Sequence, residues 1–315
     1  ATRERPSRRR RRRPPPAPAA LALLAVLAAC LGVAPAMARA QAAEGSNAPA
    51  PTVRDIPELA ARLDSSDPDE VVAAIDLLTA VDNPRVIPHL ERLLRSGRSD
   101  VITDRALLAL RQLAHPSALE ILTVYTSHRR VGARRRAYQA IAAIEDRRVP
   151  ALLERGLRDS DRGIRATSAR RLGAVGNDAS VETLFQAFDH RVMEASVAIG
   201  KLGDADAVER FHGYLGQAPL SVMLAGYREF LGRREIPQSA KMGIVQRIAE
   251  QPSVQVQRFL QRYLDTFPTT FRAQRDPLRR EVVSTLRRLL SEAGGDGSDR
   301  SNPGEAGEDA SGDQP

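Results

Sequence analysis

Arginine is the residue type whose spacing first suggests chemistry. Arg129, Arg130, Arg134, Arg135, Arg136, Arg147, Arg148, Arg155, Arg158, Arg162, Arg165, Arg170 and Arg171 crowd one stretch of the chain. A guanidinium forks onto carboxylates and phosphates through paired N–H donors. Such a zone suits an acidic protein segment, or an anionic envelope component such as lipid head groups. Glu145, Asp146, Glu154, Asp159 and Asp161 are interspersed, so the competing expectation is a solvated surface whose charges partly pair.

Other residue types offer less. The histidines His89, His115, His128, His190 and His212 are scattered, and none lies three or four residues from another, as helical metal ligands would. They read as surface or turn histidines. Glu91, Glu154 and Glu182 recur near the start of successive helices and could line a common face, but acids early in a helix also complement its dipole. There is no Gly-rich phosphate loop and no Gly-x-Ser-x-Gly elbow. No catalytic residue, metal site or cofactor is expected.

The elements that must carry the arginines repeat. Across residues 70–83, 102–115, 133–146, 164–177 and 191–204 a fourteen-residue pattern recurs, with apolar or small residues at positions 5, 8, 9 and 12, except for Arg171 at position 8 of the fourth copy. Those positions share one stripe of a 3.6-period helix, called helix A here. Position 12 holds Val81, Leu113, Ile144, Val175 and Leu202, at intervals of 32, 31, 31 and 27, and a near-constant period of this size marks a solenoid. Position 14 is Asn83, His115, Asp146, Asn177 or Asp204. The asparagines and aspartates can cap a following helix B, and Pro84 and Pro116 stand where proline starts a helix without harm. Neither helix can bury its stripe alone, so neighbouring pairs must stack.

Ile164-Arg-Ala-Thr-Ser-Ala-Arg-Arg-Leu172-Gly-Ala-Val175-Gly-Asn177, followed by Val181-Glu-Thr-Leu184, resembles the short bacterial HEAT-like repeat, also called the phycobilisome-lyase HEAT-like repeat. Ala195–Asp204 is similar. The resemblance covers roughly residues 56–216 and implies an all-α, right-handed α-solenoid of antiparallel helix pairs used for protein interaction. The clearest repeats span 70–216, with a degenerate unit at 217–236 and a closing cap at 278–291 of a solenoid running from 56 to 291. HEAT-like arrays include enzymes, among them deoxyhypusine hydroxylase with His-Glu metal pairs, but this chain has no His-Glu dipeptide. They also include DNA glycosylases with a basic cradle. Against that, the chain lacks Trp and is only 4% aromatic, leaving few side chains on which bases could stack.

The formal net charge of +8 equals that of residues 1–40 alone, because residues 41–291 are mildly basic at +6 and residues 292–315 carry −6. Residues 1–17 hold eight arginines against Glu4, and Arg39 adds one cation, which together account for the whole excess. This cationic run precedes the apolar stretch Ala19–Ala29 and then Ala38-Arg39-Ala40, the pattern of a secretory signal with cleavage before Gln41. Residues 1–40 are therefore expected to direct export to the periplasm or envelope. Leu27-Ala28-Ala29-Cys30 has the form of a lipobox, which makes lipidation at Cys30 the alternative, and an uncleaved membrane anchor a third reading. Residues 41–55 read as a linker. Residues 292–315 carry seven acids against Arg300 and read as a disordered acidic tail. The expected whole is an exported, monomeric, non-enzymatic scaffold, touching membrane only through its signal or lipid. It would bind an acidic protein partner through a concave helix B face, with a HEAT-like enzyme or a nucleic-acid binder as alternatives.

Overall fold

The computed structural model describes residues 50–270 and 274–295. Residues 1–50 and 51–315 are separate units; of the first, only Ala50 is described. The expected signal segment, with Cys30, Ala38, Ala40 and Gln41, therefore lies outside the described residues.

Fifteen α-helices follow one another in the described residues. They are α1 (Ile56–Arg62), α2 (Pro68–Ala80), α3 (Ile87–Arg95), α4 (Asp100–Leu113), α5 (Leu119–Tyr125), α6 (Val131–Ala143), α7 (Val149–Gly156) and α8 (Arg162–Val175). Then come α9 (Asp178–Asp189), α10 (Ala195–Leu202), α11 (Ala205–His212), α12 (Leu220–Gly232), α13 (Gln238–Ala249), α14 (Val254–Leu264) and α15 (Pro277–Gly295). No β-strand occurs among the described residues. The fold is an all-α solenoid of stacked helix pairs.

Helices α2 through α14 with even numbers are the A helices, each packed on the next, and the odd-numbered helices α1 through α13 form the B layer. The position-14 residue ends each A helix as its chemistry requires. Asn83 accepts from the Arg85 N–H, Asp146 from Arg148, Asn177 from Ala179 and Asp204 from Ala207. His115 does the same through Nδ1, accepting from the Ser117 N–H at 3.2 Å. Each such bond satisfies an amide that the start of the next helix leaves open. Of the position-12 residues Ile144 is fully buried, and Val81, Leu113, Val175 and Leu202 pack against the core half-buried.

The two layers are not equally tight. At Gly173 an added Cβ would lie 3.0 Å from the Ala198 Cα, and at Gly200 it would lie 2.3 Å from the Gly226 carbonyl oxygen. Helices α8, α10 and α12 thus touch backbone to backbone, which only glycine and alanine permit. The B helices stand further apart: α3, α5, α7 and α9 meet mainly A helices, and α11 meets α13. Gly173, Gly200 and Gly226 set the spacing of α8, α10 and α12, whereas α9 and α11 in the B layer meet through side chains, the rings of Phe188 and Phe211 lying 5.8 Å apart between centroids.

Three further differences have local causes. The fifth copy lacks its first turn, because Arg191 adopts φ +63° and α10 starts only at Ala195, which accounts for an interval of 27 where the others are 31 or 32. Helices α12 and α13 form the next A and B pair across residue 236, where the degenerate unit was expected to close. Helix α15 runs through Glu292 to Gly295, past the expected start of the tail. Nothing from Ser291 to Ala293 opposes helix, and Arg288 pairs with Glu292 one turn on at 3.7 Å. Helix α15 packs on α13 and α14, and residues 296–315 lie outside the described residues.

Candidate partner-binding face

The structure divides the arginine-rich zone into three groups. Arg130, Arg134, Arg135, Arg136 and Arg148 are ion-paired, with Asp100 and Asp104, Asp159, Asp161, Asp104 and Asp146 respectively. Arg165 and Arg171 donate to carbonyls, Arg165 to Asp159 and Ser160 at 2.8 and 2.9 Å and Arg171 to Ile144 at 3.5 Å. Arg129, Arg147, Arg155, Arg158, Arg162 and Arg170 are exposed and have no ion pair among the described residues.

Arg134 and Asp159 form the strongest of these pairs. The guanidinium forks onto the carboxylate with both N···O distances at 3.0 Å, and the side chains are only 13% and 10% exposed. Arg134 also donates to the His128 carbonyl at 3.1 Å, so one side chain ties the start of α6 to the loops before it and before α8. Burial pushes the Asp159 carboxyl up, and its bonds to Arg134 and to the Asp161 N–H outweigh this and hold it below the usual carboxylate range. The neighbouring Asp161, held by Arg135, lies down at about 2. A depressed folded pKa means the pair stabilises fully above the unfolded carboxylate range, with the gain lost as pH falls through the folded pKa. Asp159→Ala strands a mostly buried cation and is expected to destabilise by about 2–3 kcal/mol at neutral pH. Urea denaturation should show that difference shrinking on acidification.

The recurring glutamates do not converge. Glu91 pairs with Arg95, Glu154 accepts from the Ser180 hydroxyl at 2.7 Å, and Glu182 pairs with Arg210 at 2.5 Å. Each bonds locally or to an adjacent repeat. Among the histidines, His212 is buried, contrary to the surface expectation. Its Nδ1 lies 2.8 Å from the Tyr227 hydroxyl across α11 and α12, and burial pushes its pKa down. Among the described residues no three His, Cys, Asp or Glu side chains are placed to hold a metal, and no helix is long and apolar enough to cross a membrane.

Hollows between the A helices gather the free arginines. One of about 320 Å³ is lined by Arg111, Gln139, Ala142, Ala143, Thr167 and Arg170 across α4, α6 and α8. A second of about 340 Å³ adjoins it between α6 and α8, sharing Gln139, Thr167 and Arg170. Neither is lined by a carboxylate, because the nearby acids are committed elsewhere: Asp76 to Arg105, Asp104 to Arg130 and Arg136, Asp161 to Arg135. Arg170 was expected as a site residue. Arg111 was not, since it stands alone in sequence and joins Arg170 only through the stacking of α4, α6 and α8.

A further groove of about 390 Å³ opens on the A layer between α12 and α14, lined by Leu224, Phe259 and Tyr263 and by Arg228, Arg258 and Arg262. Sequence patterning passed over it, because residues 217–267 keep the helical period but lose the repeat motif. On the B side, Arg158 and Arg165 line a separate hollow with Asp159 and His190. The arginine-rich zone therefore does not form one patch.

Residues 118–194, from the turn before α5 to the start of α10, match the family model described as HEAT repeats. The motif read at Ile164–Leu184 falls inside that span. No curated protein matches the chain. Among solved structures, an engineered protein is similar with TM-score 0.44 at 17% identity, covering 75% of this chain and 68% of that one. The complex of CpcE and CpcF of phycocyanin lyase from Nostoc sp. PCC7120 is similar with TM-score 0.41 at 17% identity, covering 78% of this chain and 97% of that one. Human deoxyhypusine hydroxylase, in complex with glycerol, is similar with TM-score 0.36 at 16% identity, covering 76% and 95%.

Proposed function

We propose that this chain is a non-enzymatic, monomeric scaffold that holds an acidic protein segment along its A-helix face after export across a membrane. The observation that carries the reading is the pair of carboxylate-free hollows over α4, α6 and α8, where Arg111 and Arg170 stand unpaired beside Gln139 and Thr167. A partner carboxylate there meets guanidinium donors that no internal acid has claimed, together with neutral amide and hydroxyl groups that can complete its hydrogen bonds. The match of residues 118–194 to HEAT repeats supports a protein-interaction role. Export rests on the cationic run, the apolar stretch Ala19–Ala29 and Ala38-Arg39-Ala40.

A photo-crosslinking residue at Thr167, with a second at Gln186 on the B-layer helix α9, tests the face in intact cells. Thr167 is expected to capture an acidic segment and Gln186 to capture none. Arg111→Glu with Arg170→Glu should abolish the Thr167 adduct. Adducts from Gln186 alone, or to nucleic acid, would overturn the reading. The processed amino terminus of the recovered protein is expected to be Gln41.

A further inference from the structure

We infer that the groove between α12 and α14 is an anchoring subsite for an acidic peptide carrying an aromatic or large aliphatic residue, supplied by a partner protein. The inference rests on the scaffold reading and specifies the partner further.

The groove exists because the last A-layer interface is built differently from those before it. Where α8, α10 and α12 meet, glycine and alanine let the backbones touch. Helix α14 instead presents Phe259 and Tyr263, one turn apart on one face. The two half-buried rings form the floor of the groove, together with Leu224 of α12. Tyr263 stays half-buried, its ring edge-to-face with Phe267 at 5.2 Å between centroids, and burial pushes its phenol up to about 12. It is therefore a neutral lining group at physiological pH.

The rim is cationic on both sides. Arg258 and Arg262 are four residues apart on α14 and have no ion pair among the described residues, and Arg228 faces them from α12. The nearest carboxylate to Arg228 is its neighbour Glu229 at 3.7 Å, and Arg228 remains 69% exposed. No carboxylate lines the groove. An apolar floor under three guanidiniums selects a ligand that is apolar at its centre and anionic at its edges. A hydrophobic residue flanked by Asp or Glu has that form: the side chain fills the gap and the flanking carboxylates meet the arginines.

Charge alone would also admit the chain's own acidic tail. Residues 296–315 contain no aromatic or branched aliphatic residue, so the tail has nothing to place on Phe259 and Leu224. The apolar floor assigns the groove to a partner.

The probe is a fluorescein-labelled peptide with a central phenylalanine flanked by Asp and Glu, titrated with the full chain by anisotropy. Arg258→Glu with Arg262→Glu is expected to weaken binding by about tenfold or more, as is Ser221→Trp, which fills the groove from its exposed edge. Replacing the peptide's phenylalanine with serine should weaken it similarly. Arg85→Glu, at an exposed cation outside both proposed binding regions, should leave the affinity within about twofold. If Arg111→Glu with Arg170→Glu weakens binding and the groove variants do not, the groove is not the subsite although the scaffold reading survives. Equal binding of the serine peptide would reduce the contact to charge and overturn the inference. So would tenfold tighter binding after deletion of residues 296–315, which would identify the tail as the occupant, or preferential binding of a single-stranded oligonucleotide. Circular dichroism of each variant separates loss of the groove from loss of the fold.

Discussion

Leu172→Asp is expected to unfold the central repeats. Leu172 is fully buried within α8, and the surrounding core offers its carboxylate no cation in the apolar stripe shared with Ile164 and Ala169. Burying an unpaired charge exceeds what local relaxation can offset, and the loss should be at least about 5 kcal/mol, comparable to the whole stability of many domains. Because each pair leans only on its neighbours, the loss should spread along the stack from α8 rather than stop there. Circular dichroism should show a large fall in helicity, with the amides of α6 and α10 exchanging along with those of α8. A soluble variant that still unfolds cooperatively near the parent midpoint would mean that position 9 of the repeat does not face the core.

Gly200→Val should produce the second-largest loss by the opposite route, excess volume. Even the first added carbon would sit 2.3 Å from the Gly226 carbonyl oxygen and 2.8 Å from the Glu229 Cβ. The obstacle is backbone, so no rotamer change can clear it, and α10 and α12 must separate. The expected loss is about 3 kcal/mol or more, the upper end for overpacking. Gly243→Ala in α13 is the matched control. Nothing lies within 4 Å of its added Cβ, and the helix should gain about 0.5–1 kcal/mol from the better helix former. Opposite signs for the two, measured by thermal denaturation, would confirm that the A layer is set by backbone contact; equal and small effects would refute it.

What the sequence reveals about this protein follows the range of the interactions involved. The caps at Asn83, Asp146, Asn177 and Asp204 act two or three residues away, so the residue type at one position announces the bond. The buried stripe through Ile141, Ile144, Ala169 and Leu172 is legible for the same reason, since helix period alone places those residues together. Arginine is different. Arg135 and Arg170 look alike in sequence, yet one is committed to Asp161, 26 residues away, and the other to nothing among the described residues. Only the stacking of α6 against the loop before α8 decides between them. The groove at Phe259 was hidden further, because losing the repeat motif looks like decay when it is a change in how two helices meet.

The unequal layers also bear on how the stack responds to force. Along the A side, backbone rests on backbone at Gly173, Gly200 and Gly226, and that contact resists compression as a packed interior does. Along the B side, the helices meet through side chains, Arg95 to Glu120 and, between α9 and α11, Arg210 to Glu182 and the buried ring of Phe188 against that of Phe211. The A-side interval is therefore set by main-chain atoms and the B-side interval by side chains. A segment held on the A face would meet a ruler whose graduation is fixed by main-chain contact rather than by side-chain length.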